Sequence, residues 1–552
     1  MSTRRLLCAA AFSAVLVSYG GAHGAPPPHA AQLITAEGLA NHIQVLASDE
    51  FEGRAPATRG EELTVAYLRD QFASLGLQPG NNGSWFQTVP LVKITPDPTT
   101  RLHITGGAAP FDLVNVQDVV VWNRRLTEWT TLADSELVFV GYGVNAPELG
   151  WDDFKGLDVT GKTLVMLVND PDYGQDTGDF LGRRMTYYGR WSYKYEEAMR
   201  RGAAAVLIVH EDAPAGYPWG VVTGTWAARP RFDIPPTPGT PERLAVEGWI
   251  TRDAAGCLFS AAGQDFATLK QQARSRAFQP VSLGLRASTQ LYHSLTTAES
   301  RNVLGLLPGR QRPEEVVIYM AHWDHLGRND NLPGNDKIFN GAVDNATGAA
   351  ALLELAKAFT ALNPAPKRSI LFLATTAEES GFWGSMYYAE HPVFPLAQTV
   401  AGINFDILNI SGPTRDVVVV NRGASELENY LEDVAWPQDR YLTEEDSPEA
   451  GFFYRSDHIS FAKVGVPVIY TKSGVDLVNG GTAAGKAIVQ RWTQNDYHNV
   501  TDEFRPEWDL TGMAQDVRLF FETGRRLADT HEWPNWHEGN EFRPIRDASR
   551  GQ

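Results

Sequence analysis

Residues 321–345 read AHWDHLGRNDNLPGNDKIFNGAVDN. The β-branched run Val316–Ala321 leads into them, which sets His322 and Asp324 at the end of an expected strand. Asp344 follows in GAVDNATG, a tight turn before an amphipathic helix expected over Thr347–Ala361 and stopped by Asn363-Pro364. Ala377-Glu378-Glu379 and Asn404-Phe405-Asp406 occupy the ends of two more expected strands, Ser369–Thr375 and Thr399–Asp406, and Tyr497-His498 comes later. One imidazole, a carboxylate able to bridge, a Glu pair, another carboxylate and a second imidazole are donors that two adjacent zinc ions take. Singly, each of these residues reads as a solvated loop carboxylate or a satisfied core histidine. Their joint placement at strand ends points to a two-zinc hydrolase.

The same alternation decides the fold class. Short apolar strands alternate with helices from Asn302 onward, including strands expected over Val417–Val420 and Val466–Thr471. That pattern gives an α/β sheet covered on both faces, and ligands in such sheets bind beyond the carboxyl ends of the strands. Upstream, apolar residues recur at helical spacing between Leu39 and Leu77, interrupted by the turn-rich SDEFEGRAPATRG and closed by GLQPG. Residues 83–122 alternate apolar and polar positions, as antiparallel strands do, after a Pro/Ala-rich leader over 26–34.

Between about 126 and 290 the texture changes. Strands are expected over Glu136–Tyr142, Lys162–Val168 and Ala203–Val209, a helix over Ser192–Arg201, and Pro-rich aromatic loops after them. No metal-type cluster falls there, so the segment reads as a compact insert. The tail HEWPNWHEGNEF (531–542) reads as packed on the rest of the chain, with a lid or a dimer contact as the functional alternative.

At 552 residues, 43% hydrophobic and 21% charged, the chain has the composition of a globular enzyme of about two domains. A net charge of −18 argues against a nucleic-acid surface and reads as a solubility feature. Arg4-Arg5, the apolar run from Leu6 to Tyr19 and Ala22-His23-Gly24 form the pattern of an export signal cut after Gly24. No later segment has the apolar length of a membrane span, so a periplasmic or extracellular location is expected. Cutting the signal leaves Cys257 as the one cysteine. No internal disulfide is then expected, zinc would rely on His and carboxylates, and Cys257 is expected to be buried.

His322-x-Asp324 after a strand, GA-x-DN-x-TG around Asp344, Glu378-Glu379, Asn404-x-Asp406 and Tyr497-His498-x-x-x-Asp502 together resemble the two-zinc aminopeptidases of metallopeptidase family 28. LASDEFEGR, the helix ending in GLQPG, RNVLGLLPG at 301–309 and RSDHISF at 455–461 extend the resemblance. DVTGKTLVMLV and RRGAAAVLIV make the inserted segment similar to a protease-associated domain. The resemblance implies a zinc-peptidase fold, with a mixed, largely parallel sheet between helices and a β-rich insert. The implied division is signal peptide 1–24, first part of the catalytic domain 25–125, insert 126–290, second part 291–530 and tail 531–552.

Roles are implied as well. Asp344 would bridge two zinc ions, with His322 and Asp406 completing one site and Glu379 and His498 the other. Glu378 would be the general base for the attacking water. Asp324 would orient the His322 imidazole from behind, and Asp502 is a candidate for that task behind His498. Tyr454 is a candidate hydroxyl for charge building on the substrate carbonyl, with a packed aromatic as the plain alternative. His325 and His458 read as supports, and the Asp330–Asp336 loop as solvated.

Peptides cut at the N-terminal residue are the implied substrates, and the oligomeric state stays open. Three other readings remain. A carboxypeptidase of this fold would need basic residues for a terminal carboxylate, and the sequence singles none out. A one-zinc glutaminyl cyclase is disfavoured by the long chain and its insert. An inactive receptor-like protein is disfavoured because every ligand position and the base are filled.

Overall fold

The fold is taken from a computed structural model that describes residues 30–97, 99–227, 230–237 and 239–551. The export signal read at 1–24 lies outside them. Val317, Tyr319 and Ala321 turn into one apolar core, while Val316, Ile318 and Met320 turn into another. This period of two marks a strand buried on both faces, and it repeats in Ile370, Phe372 and Ala374 against Leu371 and Leu373.

The two strands, Arg312–His322 and Arg368–Thr375, pair in parallel. Thr399–Asn404 joins Arg312–His322 on its other side, and Val468–Lys472 joins Thr399–Asn404, both in parallel. Val281–Leu307 and Phe86–Pro96 extend one edge antiparallel, and Asp416–Val419 extends the other. Helices Ala36–Leu46, Arg59–Ser74, Thr347–Thr360 and Thr511–Asp529 cover one face through Ile43, Phe72, Leu352 and Phe520. Tyr388, Phe461, Trp536 and Phe542 fill the other face, so the aromatic tail is packed against the sheet. This is the α/β sheet covered on both faces expected from the alternation, and the mixed, largely parallel form that the resemblance implied.

The strand Val281–Leu307 is 27 residues long and belongs to two sheets. Residues 293–303 pair with Phe86–Pro96, while 281–292 enter a second sheet. That sheet runs in parallel through Trp129–Phe139, Thr163–Leu167, Ala205–His210 and Val246–Thr251. It has its own two apolar layers, with Leu207 and Val209 on one face and Val206 and Ile208 on the other. Arg101–Thr105, Phe111–Val114 and Val119–Trp122 hydrogen-bond into it too. Strands within 101–122 thus pair in the second sheet, ahead of the insert read from 126. Residues 83–122 do form strands, but these divide between the two sheets.

Two smaller expectations change. Cys257 is exposed, because helix Arg252–Ala261 buries the stripe Ala254, Ala255, Leu258 and Phe259 instead. The chain is already packed from Ala30, which enters the core with Ile34, so the leader read over 26–34 is not loose at its end. No helix among the described residues is long and apolar enough to cross a membrane.

Candidate metal centre

His322 is the last residue of its strand, and Asp406 lies two residues beyond Thr399–Asn404. Glu378 and Glu379 follow Arg368–Thr375 through a turn in which Ala377 adopts φ +54°. Parallel pairing sets these three strand ends side by side. Asp344 comes from the turn 342–346 that feeds helix Thr347–Thr360. Gly341 opens that turn at φ +56°, where a Cβ would meet the Asp344 carbonyl oxygen and the His325 ring. His498 arrives from the loop after helix Gly481–Asn495, itself at φ +55°. Left-handed backbone at two non-glycine residues costs about 1–3 kcal/mol each and recurs at functional sites.

His322 Nε2 lies 3.4 Å from Asp344 Oδ1 and 3.3 Å from Asp406 Oδ1. His498 Nε2 lies 3.2 Å from Asp344 Oδ2 and 3.1 Å from Glu379 Oε2. Asp344 thus faces a different imidazole with each of its oxygens. The structure brings all five residues named as donors into one cluster. His325 joins them: its Nδ1 lies 2.6 Å from Glu379 Oε1, and its ring meets His498 edge-on at 5.8 Å. Ligand atoms of His325, Asp344 and Glu379 also lie within 4.8 Å of one another. His498 is the better placed donor, because its one nitrogen touches both Asp344 and Glu379, whereas His325 grips only the far oxygen of Glu379.

Three supports differ from expectation. The His322 Nδ1 partner is the main-chain oxygen of Asp324 at 3.1 Å, with the carboxylate farther off at 3.9 Å. That carboxylate instead accepts the main-chain N–H of Glu378 at 3.1 Å. Asp502 does not back His498; it accepts the N–H groups of Val343 and Asp344, each at 3.1 Å, and the Trp492 indole at 3.2 Å. A carboxylate has room for several donors, and the Asp344 turn offers two. Tyr454 is buried and gives its hydroxyl proton to Glu541 in the tail at 2.9 Å, so it is a packed aromatic here. The phenols near the donors are Tyr470 and Tyr497, the latter stacked on His498 at 4.0 Å.

One residue escaped the sequence reading. Arg54 is buried and donates to the main-chain oxygens of Trp323, Leu46, Asn340 and Gly341 at 2.6–2.9 Å. It therefore ties the loop after His322 to the turn before Asp344. An arginine closing LASDEFEGR was the available signal, but three of its four carbonyl partners lie more than 260 residues away and leave no spacing to read. Asn345 makes a similar tie, donating to Phe405 O at 2.9 Å and accepting from Gly348 N at 2.9 Å.

The cluster holds more negative charge than its side chains neutralise. Burial opposes charge on His322, yet Glu378 and the bonds to Asp344 and Asp406 hold its imidazole well above the usual range. His498 is likewise buried, and Glu379 and Asp344 push it up to about 10. Burial, with Asp406 and Glu379 outweighing His322, raises Glu378 well above ordinary carboxylates. A carboxylate-rich site that draws protons onto both imidazoles is one that divalent cations satisfy, and imidazole with carboxylate is a donor set zinc accepts. The donor residues Asp344, Glu379, Asp406 and His498 line a cavity of about 1600 Å³ whose walls come from both lobes.

Peptidase family M28 matches residues 302–521, the segment that holds every donor. Aminopeptidase NAALADL1 of Rattus norvegicus is 34% identical over 136 residues, 24% of this chain and 17% of that protein. Aminopeptidase YwaD of Bacillus subtilis is 28% identical over 188 residues, 33% of this chain and 37% of that protein. The matched region thus spans well under half the length of these relatives. Among solved structures, an aminopeptidase from Aneurinibacillus sp. strain AM-1 superposes with a TM-score of 0.50 at 17% identity, over 92% of this chain and 97% of that one, which speaks to the fold. Over residues 302–521, this chain is similar to peptidase family M28.

Proposed function

We propose that the chain is an exported aminopeptidase holding two zinc ions, which hydrolyses the first peptide bond of peptides with a free N-terminus. One observation carries the reading: Asp344 presents each of its oxygens to a different imidazole, so two donor sets share one carboxylate. His322 and Asp406 would complete one zinc site, Glu379 and His498 the other, with His325 holding Glu379 in place. Zinc there supplies Lewis acidity to the scissile carbonyl and lowers the pKa of water towards about 7.

The chain's own residues do the rest. Glu378 is fixed by the Asp324 carboxylate at its main chain and is disposed to take up protons. It fits a general base that accepts a proton from the attacking water and passes it to the leaving amine. Neighbouring Glu379 is turned to His325 and His498, so the pair divides into a base and a ligand. A carboxylate beside the zinc pair would receive the α-ammonium group of a substrate. The phenols of Tyr470 and Tyr497 replace Tyr454 as hydroxyls available to the carbonyl oxygen.

The residues also support one competing reading, a carboxypeptidase, because cations line the same cavity. Elemental analysis together with a panel of aminoacyl anilides tests the proposal. Two zinc per chain and release of aniline are expected. One zinc, or an inert zinc-loaded protein, would remove it.

A further inference from the structure

Arg190 and Arg455 line the cavity from opposite lobes, and neither forms an ion pair among the described residues. Arg190 precedes helix Trp191–Arg200 and is 8% exposed. Its guanidinium has no hydrogen-bond partner among the described residues and rests on the Trp191 ring at 5.0 Å. Arg455 gives Nη2 to the main-chain oxygens of Ala215 and Ala450 and keeps a buried Nε without a partner. The Tyr217 hydroxyl, also buried without a partner, is within electrostatic reach of both guanidinium groups. Burial and the neighbouring Arg455 push Arg190 down to about 9.

Three other cations on the wall are ion-paired, Arg124 with Asp233, Lys463 with Glu196 and Lys486 with Asp446, while Arg231 and Lys472 also line it without an ion pair among the described residues. Two like charges brought together and desolvated are unfavourable unless an anion joins them. Planar guanidinium forks with a nearby hydroxyl suit a carboxylate, which both can grip side by side. The pair is also registered to the metal centre. Ser456, next to Arg455, accepts from Asn404 at 2.8 Å, two residues before Asp406. Tyr497, stacked on His498, is within electrostatic reach of Arg455.

We propose that Arg190, Arg455 and Tyr217 form a carboxylate subsite in this cavity, so that preferred peptides carry an acidic group near the bond cut. This rests on the aminopeptidase reading above for its substrates. Two sources share the chemistry: an Asp or Glu side chain, and the free C-terminus of a very short peptide.

Calorimetry with glutarate on the zinc-loaded protein tests the subsite without turnover. Binding should weaken about tenfold or more in Arg190→Gln and in Arg455→Gln, and measurably in Tyr217→Phe, which removes only a hydroxyl. Equal affinity in all three overturns the subsite, because glutarate then sits on zinc alone. Hydrolysis identifies the source. A higher kcat/KM for Leu-Glu-Ala-amide than for Leu-Gln-Ala-amide assigns the side chain; a higher value for Leu-Ala than for its amide assigns the C-terminus. No preference in either comparison overturns the proposal. If no peptide is cut, the aminopeptidase reading fails, and calorimetry still decides the subsite.

Discussion

The carboxylate of Asp324 accepts the main-chain N–H of Glu378 at 3.1 Å, across 54 residues of sequence. Two strand ends are thereby locked together: Asp324 meets the His322 imidazole with its carbonyl and fixes the backbone of Glu378 with its side chain. Asp324→Asn keeps an acceptor oxygen for that N–H, and Asp324→Ala does not. Activity should fall by about 10–100-fold in the alanine variant and by less in asparagine, with zinc content close to wild type in both. Zinc analysis beside kcat checks this. Loss of zinc in the asparagine variant would return the carboxylate to a role behind His322.

Glu378 and Glu379 should separate cleanly. Glu378→Gln removes the general base and should lower kcat by about 10²–10⁴-fold while zinc stays bound. Glu379→Gln removes a carboxylate held by His325 and His498, so zinc should be lost first. Equal loss of metal in both variants would refute this division of roles.

Most of the sheet, and the candidate donors at strand ends, were legible because strand burial and strand ends leave local marks. Val316–Ala321 is apolar at every position, and Glu378 and Asp406 follow such runs directly. What was not legible depends on partners far apart in sequence. Nothing local shows that Asp502 would bond to the Asp344 turn, 158 residues away, rather than stand behind His498. Tyr454 looked available because Glu541, its partner, is 87 residues on in the tail. Residues 101–122 read as strands, but strand character does not say which of two sheets accepts them.

Arg54 should be needed for the site without touching a donor. Four main-chain oxygens depend on its guanidinium, and hydrogen bonds to charged groups contribute about 1.5–3 kcal/mol each. Burial pushes Arg54 down to about 10 even with Asp502, Asp324 and Asp344 nearby, so it remains a cation at neutral pH. Arg54→Met should lower the melting temperature and weaken zinc affinity together. A variant with native melting but no zinc would instead make Arg54 a purely electrostatic partner of the acids.

Stability should fall as the medium is acidified below about pH 6.5. Burial holds His458 down to about 3, and holds His293 and His42 down to about 4, so the folded chain keeps them neutral. The unfolded chain binds those protons from about 6.5 downward, which favours unfolding as pH drops toward the folded values. At pH 5 the effect is about 2 kcal/mol per histidine. Urea unfolding of wild type and His458→Gln at pH 7.5 and 5.0 checks it, the difference between proteins isolating one group. An identical pH dependence in the two would mean that His458 is protonated in the folded chain.

The last prediction concerns the N-terminus of the substrate. The aminopeptidase reading sets the α-ammonium group of the substrate beside the zinc pair, against a carboxylate. Acetylation removes that charge and adds bulk at the same point. Blocked peptides should therefore be cut at least about a hundredfold more slowly than free ones, which corresponds to roughly 2.7 kcal/mol of lost transition-state binding. C-terminal amidation leaves the ammonium group untouched, and the amidated peptide should still be cut. One peptide prepared free, N-acetylated and C-amidated compares these directly by product release. Cleavage of the acetylated form with no cleavage of the amidated one would transfer the chain to the carboxypeptidase reading, with Arg190 and Arg455 as the clamp for the terminal carboxylate.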